Sequence, residues 1–237
     1  MSLPKIITVI GPTASGKTAL GVWLCRRFGG EIVSADAKQV YRGMDIGTAK
    51  ERELPVAQHL IDTKNPGEKI TVGEYQAAAF MVIDELLARN ALPVLVGGSG
   101  LYVEAVTEGY LFGGPGLRQR EPRYVSLKLG IDIERDELKR RVAVRMQTRA
   151  EGILGEVKGL LATGVDPEWL EQCGIEYRYF SRAARGDISL EEAVRLASTA
   201  TNQFIKRQYT WWRRHPDVTW VKDAAEAEKR VEEFLLG

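Results

Sequence analysis

The sequence is short of the residues that metal and redox centres need. It has two cysteines, Cys25 and Cys173, and two histidines, His59 and His215. Neither pair has the close spacing of a zinc site, which argues against such a centre. Two isolated thiols also fit a reducing cytoplasm. No apolar run reaches the ~18 residues that span a bilayer. Met1 to Lys5 lead straight into strand-like sequence, without the layout of a signal peptide. Neither sign of charge dominates, since 33 Lys and Arg stand against 32 Asp and Glu, a net charge of +1. The bulk field that would gather a polyanion is therefore absent, and contact with nucleic acid must come from local clusters. These are Arg118, Arg120 and Arg123; Lys139, Arg140, Arg141, Arg145 and Arg149; and Lys206, Arg207, Arg213 and Arg214. The expectation is a cytoplasmic monomer with no membrane segment.

What is present is an ordinary globular composition, 44% hydrophobic and 27% charged over 237 residues, enough chain for one sizeable core. The β-branched run Lys5–Ile10 predicts a buried strand. Gly16–Phe28 has helical periodicity and is stopped by Gly29-Gly30. Glu31–Ser34 and Leu92–Val96 read as further strands, Val72–Arg89 as a helix, and residues 43–69 as irregular. Ser99 can cap a helix running to about Glu108. Ser126–Ile131 reads as a fourth strand. Beyond Glu134, helices are expected over 134–161, 167–172, 189–214 and 224–236, with a short strand at Val218–Val221.

Strands alternating with helices imply a parallel sheet covered on both faces. The expected fold class is α/β, a P-loop NTPase-like sheet with a helical C-terminal region. The core would be residues 1–133 plus a return strand near 218–221, with 134–237 as a helical region packed on it. Phe112–Pro122 (FGGPGLRQREP) is expected to be a mobile loop. Val194, Ala197, Thr201, Phe204, Gln208 and Trp211 form a stripe expected to pack on the sheet. Phe204, Tyr209, Trp211 and Trp212 would then be core rather than base-stacking platforms.

Three features carry chemistry. Gly11-Pro12-Thr13-Ala14-Ser15-Gly16-Lys17-Thr18 matches G-x-x-x-x-G-K-[ST] between a strand and a helix, the context that motif requires. Its glycines turn successive N–H groups toward one anion, the helix start adds its positive end, Lys17 adds a point charge, and Thr18 can hold Mg²⁺. A P-loop does not name its ligand. Strand Leu92–Val96 ends in Gly97-Gly98-Ser99 and not in the acidic residue that organises magnesium in many ATPases, which weakens a hydrolysis reading. Asp36 follows the second strand, and ligands of open α/β sheets sit beyond the carboxyl ends of strands. It is placed to act as a general base, or else to close a turn or support a metal. Ser99 sits at the same edge. Arg141 and Arg145, one helical turn apart, are candidates for an anion-binding lid. Lys206, Arg207 and Arg213 are candidates for phosphate contact, with solvated helix faces as the alternative.

The stretches GPTASGKT, SADAKQVYRGMDIGTAK, VLVGGSGLY and KRQYTWWR occur in this order. Together with HLIDTKNPGEKITVGEY, CGIEYRYF and GDISLEEA they resemble the tRNA dimethylallyltransferases, or tRNA isopentenyl transferases. The resemblance implies a P-loop, Gly11 to Thr18, that binds the diphosphate of dimethylallyl diphosphate rather than ATP, with Mg²⁺. It implies that Asp36 accepts a proton from the N6 amine of an adenosine in tRNA, next to the anticodon at position 37, and that Asp36, Ala37, Lys38 and Gln39 line the adenine site. Ser99 stands where the family has a threonine. A substrate-site arginine beyond that helix is best matched by Arg118. Lys206 and Arg207 fall to the tRNA side. Two departures stand out. The inserted helical arm that grips the anticodon stem is reduced here to about a dozen loop residues, and an arginine of the family pattern is Asn202. They keep open an isopentenyltransferase acting on free AMP, ADP or ATP; a P-loop small-molecule kinase is a further alternative.

Overall fold

The computed structural model describes residues 3–112 and 120–237. Its centre is a six-stranded, wholly parallel sheet of β1 (Lys5–Ile10), β2 (Gly30–Ser34), β3 (Gln58–His59), β4 (Leu92–Gly97), β5 (Val125–Ile131) and β6 (Val218–Val221), in the order β3-β2-β4-β1-β5-β6. The helices are α1 (Lys17–Phe28), α2 (Val72–Ala88), α3 (Gly100–Glu108), α4 (Arg135–Ala162), α5 (Pro167–Cys173), α6 (Ile175–Arg185), α7 (Leu190–Trp212) and α8 (Ala224–Leu236).

Successive residues of a strand point to opposite faces, and β1 shows it. Ile6 and Ile10 pack with α2 and α3 through Tyr75, Ala79, Ile83, Tyr102 and Val106. Ile7 and Val9 pack on the other face with α1 and α8 through Leu20, Leu24, Ala227 and Val231. Both faces of the sheet are thus covered, as the alternating pattern requires. A separate core joins α4, α5, α6 and α7 through Met146, Ile153, Leu170, Phe180 and Ala197. It also takes in Val40 and Met44, from the loop after β2.

The structure departs from the expectations at three places. The irregular stretch 43–69 contains the two-residue edge strand β3, too short for a periodic signal. Helix α6 was not expected; Gly174 separates it from α5, and its buried Tyr177 and Phe180 pack within the helical region. On α7 the buried face is Ala193, Ala197, Thr201, Ile205, Gln208 and Trp212, one residue out of step with the expected stripe at its end. The helix lies mainly against α4 and α6 rather than on the sheet. Trp212 is accordingly the core tryptophan, and Trp211 is 41% exposed. The expected mobile loop lies largely, and Arg118 wholly, on residues 113–119, outside the described residues.

Candidate active site

The carboxyl ends of β1, β2 and β4 open on a cavity of about 580 Å³ roofed by α4, α6 and α7. The glycine-rich turn forms one end. Gly16 has φ 94°, Gly11 φ 153° and Ala14 φ 65°, so three residues hold left-handed or open backbone to fold the turn back on itself. The N-cap residue of α1, Gly16, has no side chain to cap it, which leaves the first N–H groups for an anion. Thr13, Ala14, Gly16, Lys17 and Thr18 line the cavity. Lys17 Nζ donates to the Pro12 carbonyl at 2.7 Å. Burial pushes Lys17 down to about 8; Asp36 opposes that and Arg145 adds to it. Among the described residues Lys17 has no ion-pair partner.

Beside it, β2 and β4 converge. Ala35 N–H donates to the Val96 carbonyl at 2.8 Å, and a Cβ at Gly97 would run into the Ala35 backbone, so only glycine allows this approach. The convergence sets Ser99 next to Asp36. Ser99 does not cap α3 through its side chain, contrary to expectation; its Oγ instead accepts the Ala37 N–H at 3.1 Å. Asp36 Oδ1 accepts from Lys38 N–H at 2.8 Å, which fixes the carboxylate and leaves Oδ2 without a partner among the described residues. Asp36, Ala37, Lys38, Gln39 and Ser99 all line the cavity.

The roof is cationic. Arg141, Arg145, Arg149, Arg178 and Arg207 reach the cavity. Burial lowers the pKa of Arg145 from its ordinary value; Glu176 and Asp36 act against this and Arg149 with it. Burial raises Glu176, against the pull of Arg145. Arg141 also meets the Ala14 carbonyl at 3.4 Å, so α4 closes directly over the P-loop.

Most of the expected site residues therefore meet in one place. Gly11 and Pro12 shape the turn without lining the cavity. Ser15 and Lys206 face a neighbouring recess with Arg135, Arg213 and Lys222, so Lys206 does not join the main site. Arg120 pairs with Glu108 and Arg123 with Asp84, which removes them from the free cations. Sequence reasoning missed Glu176, Arg178 and Gln208 as site residues. Arg149 stands one turn past Arg145, a spacing that could have placed it.

The IPP transferase family model matches residues 39–122 and 114–215. The tRNA dimethylallyltransferase 1 of Parabacteroides distasonis is 34% identical, covering 96% of this chain and 95% of that protein. The chain belongs to the IPP transferase family. The tRNA dimethylallyltransferase of Symbiobacterium thermophilum is 36% identical over 304 aligned positions, covering 100% of this chain and 95% of the relative. An alignment longer than the 237 residues here means that the relative carries segments with no counterpart in this chain. The two matched pieces meet at 114–122, where the reduced loop lies. The full-length tRNA isopentenylpyrophosphate transferase of Bacillus halodurans superposes with a TM-score of 0.87 at 31% identity, covering 98% of this chain and 96% of that one. A eukaryotic dimethylallyltransferase acting on tRNA matches with a TM-score of 0.80 at 18% identity, covering 96% and 77%, which speaks to fold alone.

Proposed function

We propose that this IPP transferase moves a dimethylallyl group from dimethylallyl diphosphate to the N6 amine of an adenosine in tRNA, releasing diphosphate. The observation that carries the reading is the adjacency, in one cavity, of an anion cradle with a desolvated Lys17 and a fixed carboxylate with one free oxygen, Asp36. The family relationship supplies the kind of substrate. Residues 1–133 with the return strand act as the donor-holding core, and 134–237 as the helical region that roofs it.

An allylic carbon–oxygen bond ionises readily because the cation is delocalised; the charge building on the departing diphosphate is what needs stabilising. The first N–H groups of α1, Lys17, Arg141 and Arg145 are aimed there, in a site partly closed to water where such charges act strongly. The acceptor amine is a weak nucleophile, since its lone pair is drawn into the ring. Asp36 accepts its proton as the C–N bond forms. Ser99, Ala37, Lys38 and Gln39 hold the base, which must leave its stack to enter.

Among the described residues no cluster of three acidic, His or Cys side chains could hold a metal by itself. The donor set fits Mg²⁺ in the form it favours, with one protein oxygen and the rest from phosphate and water. Thr18 Oγ1 would supply the protein oxygen. When bound, the ion would neutralise charge on the diphosphate.

Nucleoside analysis of tRNA incubated with protein, donor and Mg²⁺ tests the reading. Prenylated adenosine is expected in tRNA and not on AMP; modification of AMP alone, or ATP consumption without prenyl transfer, contradicts it.

A further inference from the structure

Helix α7 runs out of the cavity along one stripe. Thr201, Phe204, Arg207 and Gln208 line the interior. Trp211 is the next residue on that stripe, three and four positions on. A second path through the chain leads to the same spot. Ser99 lines the cavity, Gly100 follows it, and a Cβ on Gly100 would sit 2.6 Å from Trp211 Nε1 and 2.9 Å from Cδ1. The indole thus lies against the bare Cα of Gly100, the residue after Ser99, which lines the cavity with Asp36.

The ring is held in place. Its Nε1–H donates to Glu104 Oε1 at 2.6 Å. Glu104 is only 5% exposed and also binds the Tyr110 hydroxyl at 2.6 Å and His215 Nε2 at 2.9 Å. The His215 ring lies 6.4 Å away at 30°. Two other groups therefore hold the carboxylate that holds the indole, yet 41% of the residue stays open to solvent. An aromatic side chain that only filled the core would be covered, as Trp212 is at 1%. Arg207 and Arg214, four before and three after it, flank it on the same helix end, and neither has an ion-pair partner among the described residues.

We propose that Trp211 is a stacking platform for the base next to the acceptor adenosine in the RNA. The proposal rests on the tRNA reading above. A flipped adenine leaves its neighbour without a stacking partner at the cavity mouth. A rigid, half-open indole supplies one without ordering cost, and the flanking arginines meet the phosphates on either side. Any base can stack on an aromatic face, so the contact adds affinity for unpaired RNA rather than a sequence code.

The test uses the full-length protein and a short anticodon-loop RNA carrying 2-aminopurine beside the acceptor adenosine. Trp211→Phe keeps a flat ring and loses the N–H; Trp211→Leu keeps apolar bulk and loses the ring. Stacking predicts quenched 2-aminopurine fluorescence with the wild type and the Phe variant, and none with the Leu variant. KM for the RNA should rise about tenfold for Leu, the scale of one lost base stack, with KM for the donor unchanged. If Phe and Leu fall together, in melting temperature and KM alike, the residue acts through Glu104 and the proposal is overturned. Equal quenching and KM in all three proteins overturns it too. The quenching assay needs no turnover. A wild-type protein that binds and quenches but prenylates no RNA therefore counts against the transferase reading alone.

Discussion

Gln208 ties the P-loop to the end of β4. Its Oε1 accepts the Thr13 backbone N–H at 2.9 Å, and its Nε2 donates to the Gly98 carbonyl at 3.0 Å. The side chain is 6% exposed, and a Cβ on Gly98 would come within 2.7 Å of its Nε2. One amide on α7 thereby sets the spacing between the anion cradle and the Asp36–Ser99 edge. Gln208→Ala should lower kcat/KM for the donor roughly 5- to 150-fold, about 1–3 kcal/mol for buried polar groups left unmatched, with circular dichroism unchanged. Gln208→Glu keeps the acceptor for Thr13 but sets an oxygen against the Gly98 carbonyl, and should fare no better. Steady-state kinetics of both variants check this; a loss under twofold removes the clamp.

Asp36→Asn should cut turnover by roughly 10²–10⁴-fold, the usual contribution of a positioned general base. Donor affinity should barely change, because the cradle does not include this carboxylate. Single-turnover transfer and pyrophosphate titration separate the two quantities. Near-normal transfer in the variant would leave Asp36 with only its hydrogen bond to Lys38.

Donor binding should depend on pH through Lys17, whose folded pKa is lowered to about 8. Between that value and the ordinary lysine value of 10.5 the unfolded chain binds more protons than the folded one, so Lys17 makes stability rise with pH across that window. Below it, the folded protein carries the full cost of a desolvated cation. Diphosphate needs the charged form. Its affinity should be highest below about pH 8 and weaken above it, and the rise in Tm on adding pyrophosphate should be larger at about pH 7 than at about pH 10. Lys17→Met should flatten this dependence. Titration by calorimetry across the range measures it.

Glu156 on α4 ties the roof to the loop after β2. It accepts the N–H groups of Asp45 and Ile46 at 2.7 Å each, that of Gly47 at 3.1 Å, and the Tyr177 hydroxyl at 2.6 Å. Glu156→Ala leaves these donors unmatched and should cost roughly 3 kcal/mol or more of stability. Gly47 and Thr48 line the cavity, so KM should rise as well. Urea denaturation and kinetics check both; Glu156→Gln, which keeps one oxygen, should fall between.

The sequence by itself determined the sheet and the cradle. Lys5–Ile10 is apolar on both faces because a central parallel strand is buried on both, and the G-x-x-x-x-G-K-[ST] spacing encodes a turn that only a strand and a helix can flank. Both signals are local, so they survive without coordinates. Asp36 was legible too, as the residue beyond the second strand. Tertiary structure alone decided which α7 residues face the cavity, since a helical stripe fixes a face but not what that face meets. A shift of one residue, about a quarter of a helical turn, moved Trp211 out of the core and left Trp212 in it. The same holds for Gln208 and Glu176. Their roles rest on hydrogen bonds of Gln208 to Thr13 and Gly98 and on the charge of Arg145 acting on Glu176 across long stretches of chain, and no pattern within α6 or α7 records where those partners lie.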